Sequence, residues 1–316
     1  MSLNFALIGA AGYVAPRHLA AIRDTGNNLV AATDPHDSVG VLDQYFLGVE
    51  YFSEIERFDR HLEKLRRGPE ADRVHFVTVC SPNYLHDAHI RLALRVGADA
   101  ICEKPLVINP WNLDQLQRIE EETGRRVNTI LQLRVHPDLV ALKQKLASEK
   151  KSAKHDVVLT YVTGRGSWYR VSWKGLEERS GGLTSNIGIH FFDLLMWLFG
   201  PVQKVELHRN ERDTMAGFIE LEKANVRWLL SVDFKELPFD AVAGRKTTYR
   251  SITCDGDEIE FTKGFTDLHT EVYKRTLAGE GFGITEARPS IDLVYKIRKA
   301  PVIRNSEYPH PFVKQD

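Results

Sequence analysis

Cysteine is scarce in this chain of 316 residues, where only Cys80, Cys102 and Cys254 occur. Three thiols cannot form the disulfide framework of a small secreted protein, so we expect a reducing, cytoplasmic location. Charge of one sign is also lacking, since 42 lysines and arginines oppose 43 aspartates and glutamates and leave a net charge of −1. This balance provides no overall field for nucleic acid or an anionic membrane, and neither partner is expected.

Long hydrophobic runs and secretion signals are missing as well. Residues 191–199 form the longest candidate run, but Asp193 interrupts it and it is shorter than the roughly 20 residues that cross a bilayer. The chain starts with the apolar run of residues 3–8, which predicts a core strand and not a signal peptide. The sequence contains no close cysteine pair or zinc-type histidine motif, so no metal is predicted.

Residues 1–133 alternate short apolar runs with amphipathic segments. The spacing of apolar residues from Ile55 to Leu65 indicates one helix, and the capping pair Asn109-Pro110 begins another. The β-α-β order predicts an α/β domain with a doubly wound parallel sheet, a Rossmann domain. Its strands, apolar enough for burial on both faces, are predicted at residues 3–8, 29–33, 74–80, 98–102 and 127–131.

The pattern changes after residue 133, where strands follow one another closely. The turn Asp255-Gly256 predicts a hairpin between the last two of them. Residues 134–316 are therefore predicted to form a C-terminal α+β domain on a mixed, largely antiparallel open sheet. The predicted strands are 156–163, 202–208, 215–222, 226–232, 249–254 and 258–261, and the predicted helices lie around 139–146, 188–199, 267–278 and 285–299.

A glycine-containing loop follows the first strand and precedes a helix. Glycine allows the backbone to approach a pyrophosphate at the helix N-terminus, and a small residue at position 15 allows the helix to pack on the strand. Asp34 ends the second strand, where its carboxylate suits the adenosine ribose hydroxyls, although a solvated turn residue is the alternative. No arginine follows Asp34, so NAD is predicted in preference to NADP. The predicted contacts are Gly9, Gly12, Tyr13, Val14, Ala15 and Asp34.

Two further loops follow the strands at 74–80 and 98–102, at the edge of the sheet where ligands bind. Proline stiffens both loops, and the second one presents Lys104 near the expected nicotinamide position. His18 and His89 are expected to face a neighbouring domain and to pack, respectively, and Cys80 and Cys102 to fill the core. Predicted cofactor contacts here are Ser81, Pro82, Asn83, His86, Glu103 and Lys104.

These motifs, with Gln132-Leu133-Arg134 and Gly188-Ile189-His190-x-x-Asp193, resemble those of the glucose–fructose oxidoreductase, inositol dehydrogenase and rhizopine-catabolism (Gfo/Idh/MocA) family over essentially the whole chain. The resemblance implies a Rossmann domain and a C-terminal domain whose sheet forms the active-site wall and an oligomer interface. A homo-oligomer, dimer or tetramer, is expected.

The loop at residues 7–18 and the segments 163–169, 184–190 and 249–253 are similar to one subgroup of that family, the UDP-N-acetylglucosaminuronic acid (UDP-GlcNAcA) 3-dehydrogenases of bacterial surface-polysaccharide synthesis. Asn186 departs from the aspartate that many sugar dehydrogenases of the family carry, and this subgroup carries asparagine there. The resemblance implies oxidation of the sugar 3-hydroxyl with NAD. Some relatives recycle bound NADH with 2-oxoglutarate, which makes that acid a candidate partner here.

Alcohol oxidation needs a base and stabilisation of the developing alkoxide. His190 is the predicted base because imidazole titrates near neutrality, Lys104 stabilises the alkoxide or shares the proton, and Asn186 orients the sugar hydroxyl. Arg165 offers a guanidinium fork for an anion. The predicted substrate contacts are Lys104, Arg134, Arg165, Trp168, Tyr169, Asn186, His190 and Arg250, with interface packing as the alternative for Trp168 and Tyr169.

Two other functions remain open at this stage. The same fold and chemistry serve dehydrogenases of free sugars or inositols, which would turn over polyols without a nucleotide. A non-catalytic dinucleotide sensor or regulator is the third possibility, although pure binding requires neither Lys104 nor His190.

Overall fold

The computed structural model describes residues 2–149, 153–259 and 267–313, without the side chains of residues 239 and 240. The chain divides into two compact units, the first comprising Met1–Val135 and Gly264–Arg288, the second His136–Lys263 and Pro289–Asp316. The sequence pattern assigned all of 134–316 to one C-terminal domain. The structure instead returns the segment around 267–288 to the first unit.

The first unit contains a six-stranded, wholly parallel sheet with the order β3-β2-β1-β4-β5-β6. The order reverses beside β1, as in a doubly wound Rossmann sheet, so the predicted fold of this unit is confirmed. Of the six strands, only β3 was not predicted. The strands are β1 (Asn4–Ile8), β2 (Asn28–Thr33), β3 (Glu50–Phe52), β4 (Phe76–Val79), β5 (Asp99–Cys102) and β6 (Val127–Thr129).

Amphipathic helices cover this sheet and alternate with its strands. One helix begins with Pro110 in its first turn, as predicted, and ends before Gly124, which lies in the left-handed region. The α-helices are α1 (Ala15–Asp24), α2 (Ile55–Arg67), α3 (His86–Arg95) and α4 (Pro110–Thr123). Short 3₁₀ turns occupy Gly40–Gln44, Glu70–Asp72, Asn83–Leu85 and Gln132–Val135.

The core of the first unit includes a side chain from far along the chain. Phe5 stacks on Phe76 at a ring-centroid distance of 5.0 Å and on Tyr273 at 6.0 Å. Burial of each phenylalanine contributes about 1.5–3 kcal/mol. Tyr273 lies on a helix that packs against α1, so the segment after residue 267 is part of this core.

The second unit is built on a mixed sheet of order β12-β11-β7-β10-β9-β8. β10 and β7 are parallel and the other neighbours are antiparallel, which confirms the predicted mixed, largely antiparallel sheet. The end of the predicted strand 258–261 lies outside the described residues. The strands are β7 (His155–Thr163), β8 (Val202–Asn210), β9 (Thr214–Leu221), β10 (Ala224–Ser231), β11 (Thr248–Cys254) and β12 (Asp257–Glu258).

The remaining helices lie after residue 136, and within the described ranges no helix is both long and apolar enough to cross a membrane. The α-helices are α5 (Pro137–Ser148), α6 (Ser167–Val171), α7 (Glu177–Ser180), α8 (Ile189–Phe199), α9 (Phe239–Ala243), α10 (Leu268–Leu277) and α11 (Ile284–Lys299). Trp173–Gly175 and Phe234–Glu236 form 3₁₀ turns, and Thr184–Gly188 forms a π-helical turn before α8.

Candidate active site

The glycine loop between β1 and α1 is held against the neighbouring strand. Gly9 has a φ of +95°, and a Cβ on it would lie 2.7–2.8 Å from backbone atoms of Cys80 and Ser81. Its N–H donates to the carbonyl of Thr33 at 2.8 Å. Ala15 is fully buried where α1 begins, while Tyr13 is 88% exposed. The loop therefore presents backbone at the start of α1, as phosphate binding requires.

Asp34 lies beside this loop and is 7% exposed. Its Oδ2 accepts the N–H of Ala11 at 3.0 Å and its Oδ1 accepts the N–H of His36 at 2.9 Å. A carboxylate has about four acceptor positions, so two remain for ribose hydroxyls. The carboxylate also fixes the glycine loop, a contribution that the sequence did not predict. The glycine loop, which presents its backbone at the start of α1, and the carboxylate of Asp34 together fit NAD.

Gly9→Ala should weaken both folding and NAD binding. The added Cβ meets backbone, which cannot move aside as a side chain can, and the positive φ adds strain. The backbone strain and the overpacking add, so we expect the free energy of unfolding to fall by about 2–5 kcal/mol. We also expect NAD to bind at least tenfold more weakly. Gly26→Ala is the matched control, because Gly26 has a φ of +75° with nothing within 4 Å of its Cβ. Denaturant melts and NAD titration of both variants check this, and equal losses would contradict it.

The loop after β4 is tied to the Glu103-Lys104-Pro105 loop by a buried histidine. The ring nitrogens of His86 lie 2.7 Å from the carbonyl oxygen of Pro105 and 2.8 Å from that of Ser81. Both nitrogens thus face the protein backbone, and the side chain joins the two loops. Ser81 Oγ is hydrogen-bonded to His89 Nδ1 at 2.8 Å. Burial and the neighbouring His86 lower the pKa of His89 to about 4, so it is neutral at pH 7.

Glu103 is the centre of a buried hydrogen-bond network within the first unit. His18 Nε2 and His269 Nε2 donate to the same oxygen, Oε1, at 2.9 and 3.0 Å. His18 Nδ1 lies 2.8 Å from the hydroxyl of Tyr273, which is also 2.8 Å from Thr78 Oγ1. The network connects α1, β4, α10 and the residue before Lys104. His18 was expected to face a neighbouring domain, but it is fully buried within this network.

The charges of this network follow from its pKa shifts. Burial alone would raise the pKa of Glu103, but the hydrogen bonds from His18 and His269 outweigh it and hold that pKa well below its usual range. Burial lowers the pKa of His18, against the opposing effect of Glu103. A neutral His18 that donates from Nε2 accepts at Nδ1, so Tyr273 donates to it and Thr78 donates to Tyr273. Glu103 is therefore a buried carboxylate anion that accepts both imidazole hydrogen bonds.

Among the residues that the structure describes, folding also forms two clusters with metal-ligand chemistry that were not expected from the sequence. His18, Glu103 and His269 have ligand atoms within 4.8 Å of one another, and so do His155, Cys254 and Asp255. In the first cluster the histidine N–H groups already satisfy one carboxylate oxygen. In the second, His155 Nδ1 contacts Asp255 Oδ2 at 2.7 Å. Hydrogen bonding accounts for the first cluster and for the His155–Asp255 pair of the second.

Lys104 lies on the segment that these contacts fix. Its backbone N–H donates to Glu103 Oε2 at 3.3 Å, and the next residue's carbonyl is held by His86. Arg134, a predicted substrate contact in the same unit, donates from Nη2 to the carbonyl of Glu286 at 3.2 Å and lies over the ring of Phe282. Its anion-binding role stays a prediction. Cys80 and Cys102 are buried, and burial raises both thiol pKa values, in agreement with packing roles.

Within the second unit, the structure joins two of the predicted site residues directly. Asn186, on the π-helical turn Thr184–Gly188, donates from Nδ2 to the hydroxyl of Tyr169 at 3.1 Å. His190 follows one turn later at the start of α8 and is half-buried. π-Helical turns are frequent at functional sites because they alter the direction of side chains locally. Burial raises the pKa of Tyr169, so its hydroxyl stays protonated.

The other predicted substrate residues of this unit carry exposed or half-exposed polar groups. Arg165 follows β7, where its N–H donates to the carbonyl of Val232 at 3.0 Å, and its guanidinium lies 6.0 Å from the ring of Trp168. Trp168 is 50% exposed. Arg250 on β11 lies 5.1 Å from the ring of Tyr161, which contacts Phe191 of α8.

His269, Tyr273 and Thr78 were not predicted from the sequence. His269 and Tyr273 lie on α10, whose helical pattern is visible in the sequence but whose partner is not. The only available signal was a histidine and a tyrosine one turn apart on a helix, which most often marks ordinary packing. Contacts over more than 160 residues brought them to Glu103.

Comparisons with known proteins agree with this architecture. Residues 3–130 match the model of the Gfo/Idh/MocA oxidoreductase family, NAD-binding Rossmann fold, and residues 154–250 match its C-terminal alpha/beta domain. A curated relative, D-glucoside 3-dehydrogenase of Escherichia coli, is 26% identical over 182 residues, which are 48% of this chain and 50% of that protein. The chain spans about half the length, or less, of the first curated relatives that it matches.

Solved structures extend the similarity to nearly the full chain. The WlbA (WbpB) dehydrogenase of Thermus thermophilus, crystallised with NAD and α-ketoglutarate (2-oxoglutarate), is 53% identical with a TM-score of 0.94 over 98% of this chain and 100% of that one. The structure of that dehydrogenase with NAD and UDP-GlcNAcA has 52% identity and a TM-score of 0.93 over the same shares. The chain therefore belongs to the Gfo/Idh/MocA family of oxidoreductases.

Proposed function

We propose that this protein oxidises the 3-hydroxyl of UDP-GlcNAcA with NAD, to give the 3-keto sugar for the synthesis of a diacetamido-uronic acid of surface polysaccharide. The observation that carries the proposal is the 52% identity, over 98% of the chain, to a dehydrogenase crystallised with NAD and UDP-GlcNAcA. The cradle at Gly9, the acid Asp34 and the fixed backbone of Lys104 support it from within this chain.

The chain's own residues divide the chemistry between them. NAD, when bound, accepts the hydride from the sugar carbon. Lys104 stabilises the negative charge that develops on the sugar oxygen, and His190 takes the hydroxyl proton. Asn186, whose amide is oriented by its hydrogen bond to Tyr169, directs the hydroxyl without adding negative charge to a site for an anionic sugar.

Asp34 supports NAD as the oxidant in preference to NADP. Its carboxylate is held by two backbone N–H groups and cannot rotate away from a ribose phosphate. A 2′-phosphate would meet this negative charge. The scarcity of cysteine, three in 316 residues, and the use of NAD support a cytoplasmic location.

The proposal is tested by incubating the purified protein with UDP-GlcNAcA and NAD and following NADH absorbance, with and without 2-oxoglutarate. We infer that 2-oxoglutarate reoxidises bound NADH, because the Thermus thermophilus dehydrogenase was crystallised with it. Product should then accumulate beyond one equivalent per site only when 2-oxoglutarate is added or NAD is in excess. If NADH forms with a free sugar or inositol but not with UDP-GlcNAcA, the proposed substrate is wrong.

A dehydrogenase of sugars without a nucleotide is the second candidate function. The similarity to D-glucoside 3-dehydrogenase favours it, at 26% identity. Turnover of glucosides with kcat/KM equal to or above that of UDP-GlcNAcA would establish it. A dinucleotide sensor would bind NAD and oxidise none of these compounds.

Arg165→Ala should raise the KM for UDP-GlcNAcA far more than the KM for NAD. Loss of one charge-assisted contact to an anion should raise the KM for UDP-GlcNAcA by about 10- to 100-fold. Arg212→Ala is the control, because Arg212 is an exposed arginine of the same unit that donates to the carbonyl of Arg170. Steady-state kinetics of both variants, varying each substrate in turn, make the comparison. Equal increases in both KM values would exclude a substrate role for Arg165.

The protein is further proposed to be a homo-oligomer. Apolar side chains stay exposed on the C-terminal segment, Val302 at 46% and Phe312 at 43%, which suits an interface formed by the second unit. Light scattering coupled to gel filtration distinguishes a dimer or tetramer from a monomer.

A further inference from the structure

Two cations flank the indole ring of Trp168 in the second unit. The guanidinium carbon of Arg165 lies 6.0 Å from the ring centroid and the ammonium nitrogen of Lys174 lies 5.7 Å from it. Lys174 is also 5.6 Å from the ring of Trp173. All three distances are within the range of cation–π attraction, so Arg165 and Lys174 share the indole of Trp168 as an aromatic surface. Lys174 was not among the residues predicted from the sequence.

The backbone builds this arrangement. The turn Trp173–Gly175 packs on α6, and a Cβ at Gly175 would lie 2.6 Å from the carbonyl oxygen of Tyr169 and 2.7 Å from Cα of Arg170. Only glycine allows this approach, which carries Lys174 back over Trp168. The position of the lysine is thus set by main-chain packing, although its side chain is half-buried.

Neither cation has an acidic partner in the ranges that the structure describes. The nearby acid Asp213 is paired with Arg170 through its Oδ2 at 2.6 Å. Other basic side chains of this unit pair with carboxylates, among them Lys154 with Glu220 and Arg227 with Asp156. Burial and the positive charge of Arg165 lower the pKa of Lys174, as expected for a cation without an anion beside it.

The subsite connects to the predicted catalytic segment. Tyr169 follows Trp168 directly and contacts it with ring centroids 5.8 Å apart. The Tyr169 hydroxyl accepts the hydrogen bond from Asn186, one turn before His190. An anion held over Trp168 would therefore lie beside Tyr169, the residue that orients Asn186.

We propose that Arg165, Lys174 and Trp168 form an oxyanion subsite and that Lys174 determines ligand specificity there. Arg165 offers a planar fork and Lys174 a point charge, a combination that suits a carboxylate or a phosphate. This inference rests on the proposed function and extends it. The oxyanion comes either from the nucleotide sugar, through its carboxylate or diphosphate, or from 2-oxoglutarate.

The experiment compares Lys174→Met and Lys174→Arg with the wild-type protein. Lys143→Met is the matched control, since Lys143 is a half-buried lysine of the same unit, 4.1 Å from the ring of Trp197. Dissociation constants are measured by calorimetry for UDP-GlcNAcA, UDP and 2-oxoglutarate on the NAD-loaded protein, and for NAD itself. Thermal melts of each variant accompany the titrations.

Lys174→Met should weaken at least one of the three anionic ligands by about 10- to 100-fold and leave the dissociation constant of NAD unchanged. Lys174→Arg should recover most of the loss because it keeps the charge. Weaker binding of both UDP-GlcNAcA and UDP assigns the subsite to the diphosphate. Weaker binding of UDP-GlcNAcA alone assigns it to the sugar carboxylate, and weaker binding of 2-oxoglutarate alone assigns it to the oxidant.

Unchanged constants for all three ligands, no binding of any of them to the wild-type protein, or an equal loss in Lys143→Met would overturn the proposal. Should Lys174→Met lower the melting temperature, the same titrations are made on Lys174→Gln, which removes the charge and keeps a polar side chain. Unchanged dissociation constants in a stably folded Lys174→Gln would overturn the proposal. Failure of UDP-GlcNAcA to be oxidised rejects the proposed function separately, because binding of UDP and 2-oxoglutarate is measured without turnover.

Discussion

Lys104→Met should lower kcat for sugar oxidation by roughly 100- to 10,000-fold, the range for loss of a proton-transfer or charge-stabilising group. Methionine keeps the length and the apolar stem of lysine and removes only the ammonium. The Lys104 backbone is held by Glu103 and its neighbour Pro105 by His86, so the loop should keep its conformation. Single-turnover measurements of NADH formation at saturating UDP-GlcNAcA give the rate constant of the hydride-transfer step independently of product release, and steady-state measurements give kcat.

Lys104→Arg and His190→Gln identify the proton acceptor. Arginine keeps the positive charge but does not exchange a proton near neutral pH, so substantial activity in Lys104→Arg would make His190 the base. If His190 is the base, His190→Gln should also remove the pH dependence of kcat near neutrality. Lys104→Met that keeps more than a third of the wild-type kcat would reject any catalytic role for Lys104. NAD binding measured in parallel separates loss of the cofactor from loss of chemistry.

Local sequence signals predicted the parts of this protein whose structure is decided locally. The apolar runs gave five of the six strands of the first sheet, and the glycine at position 9 marked a turn that only glycine can make. The antiparallel neighbours of the second sheet followed from closely spaced strands. β3 was missed because its three residues, Glu50–Phe52, lie at the sheet edge and carry no apolar pattern.

Contacts between distant segments could not be predicted in the same way. The sequence indicates that residues 267–278 form a helix with an apolar face, but not that this face packs on α1. Glu103 was therefore predicted as a contact of the cofactor, whereas the structure shows it accepting hydrogen bonds from His18 and His269. Lys174 was not predicted for the same reason, because its contact with Trp168 depends on the backbone turn at Trp173–Gly175. The roles assigned to individual site residues stay predictions.

Glu103→Leu should destabilise the first unit by about 3–5 kcal/mol, the usual effect of removing one partner from a buried charged network. Leucine leaves the N–H groups of His18 and His269 without an acceptor in a buried site. Glu103→Gln should cost less, about 1.5–3 kcal/mol, because its carbonyl oxygen can still accept from both histidines while the charge and the acceptor for the Lys104 N–H are lost. Both variants should also lower kcat, since the Lys104 N–H donates to the second oxygen of Glu103. Denaturant unfolding and steady-state kinetics measure the two effects.

The pH dependence of unfolding distinguishes the charge of Glu103 from its packing. Because the folded-state pKa of Glu103 is depressed, its stabilisation is complete above the unfolded value of 4.5 and is lost as the pH falls towards the folded value. Glu103→Gln should lack this acid-dependent loss. Glu120→Gln is the matched control, since burial raises the pKa of Glu120, which accepts the N–H of Val127. The contribution of Glu120 has the opposite sign and changes between its raised folded pKa and the unfolded value of 4.5. Glu120→Gln should therefore alter the slope just above pH 4.5 and keep the wild-type loss below it. The same slope in Glu103→Gln as in the wild-type protein would show that Glu103 is not a buried anion.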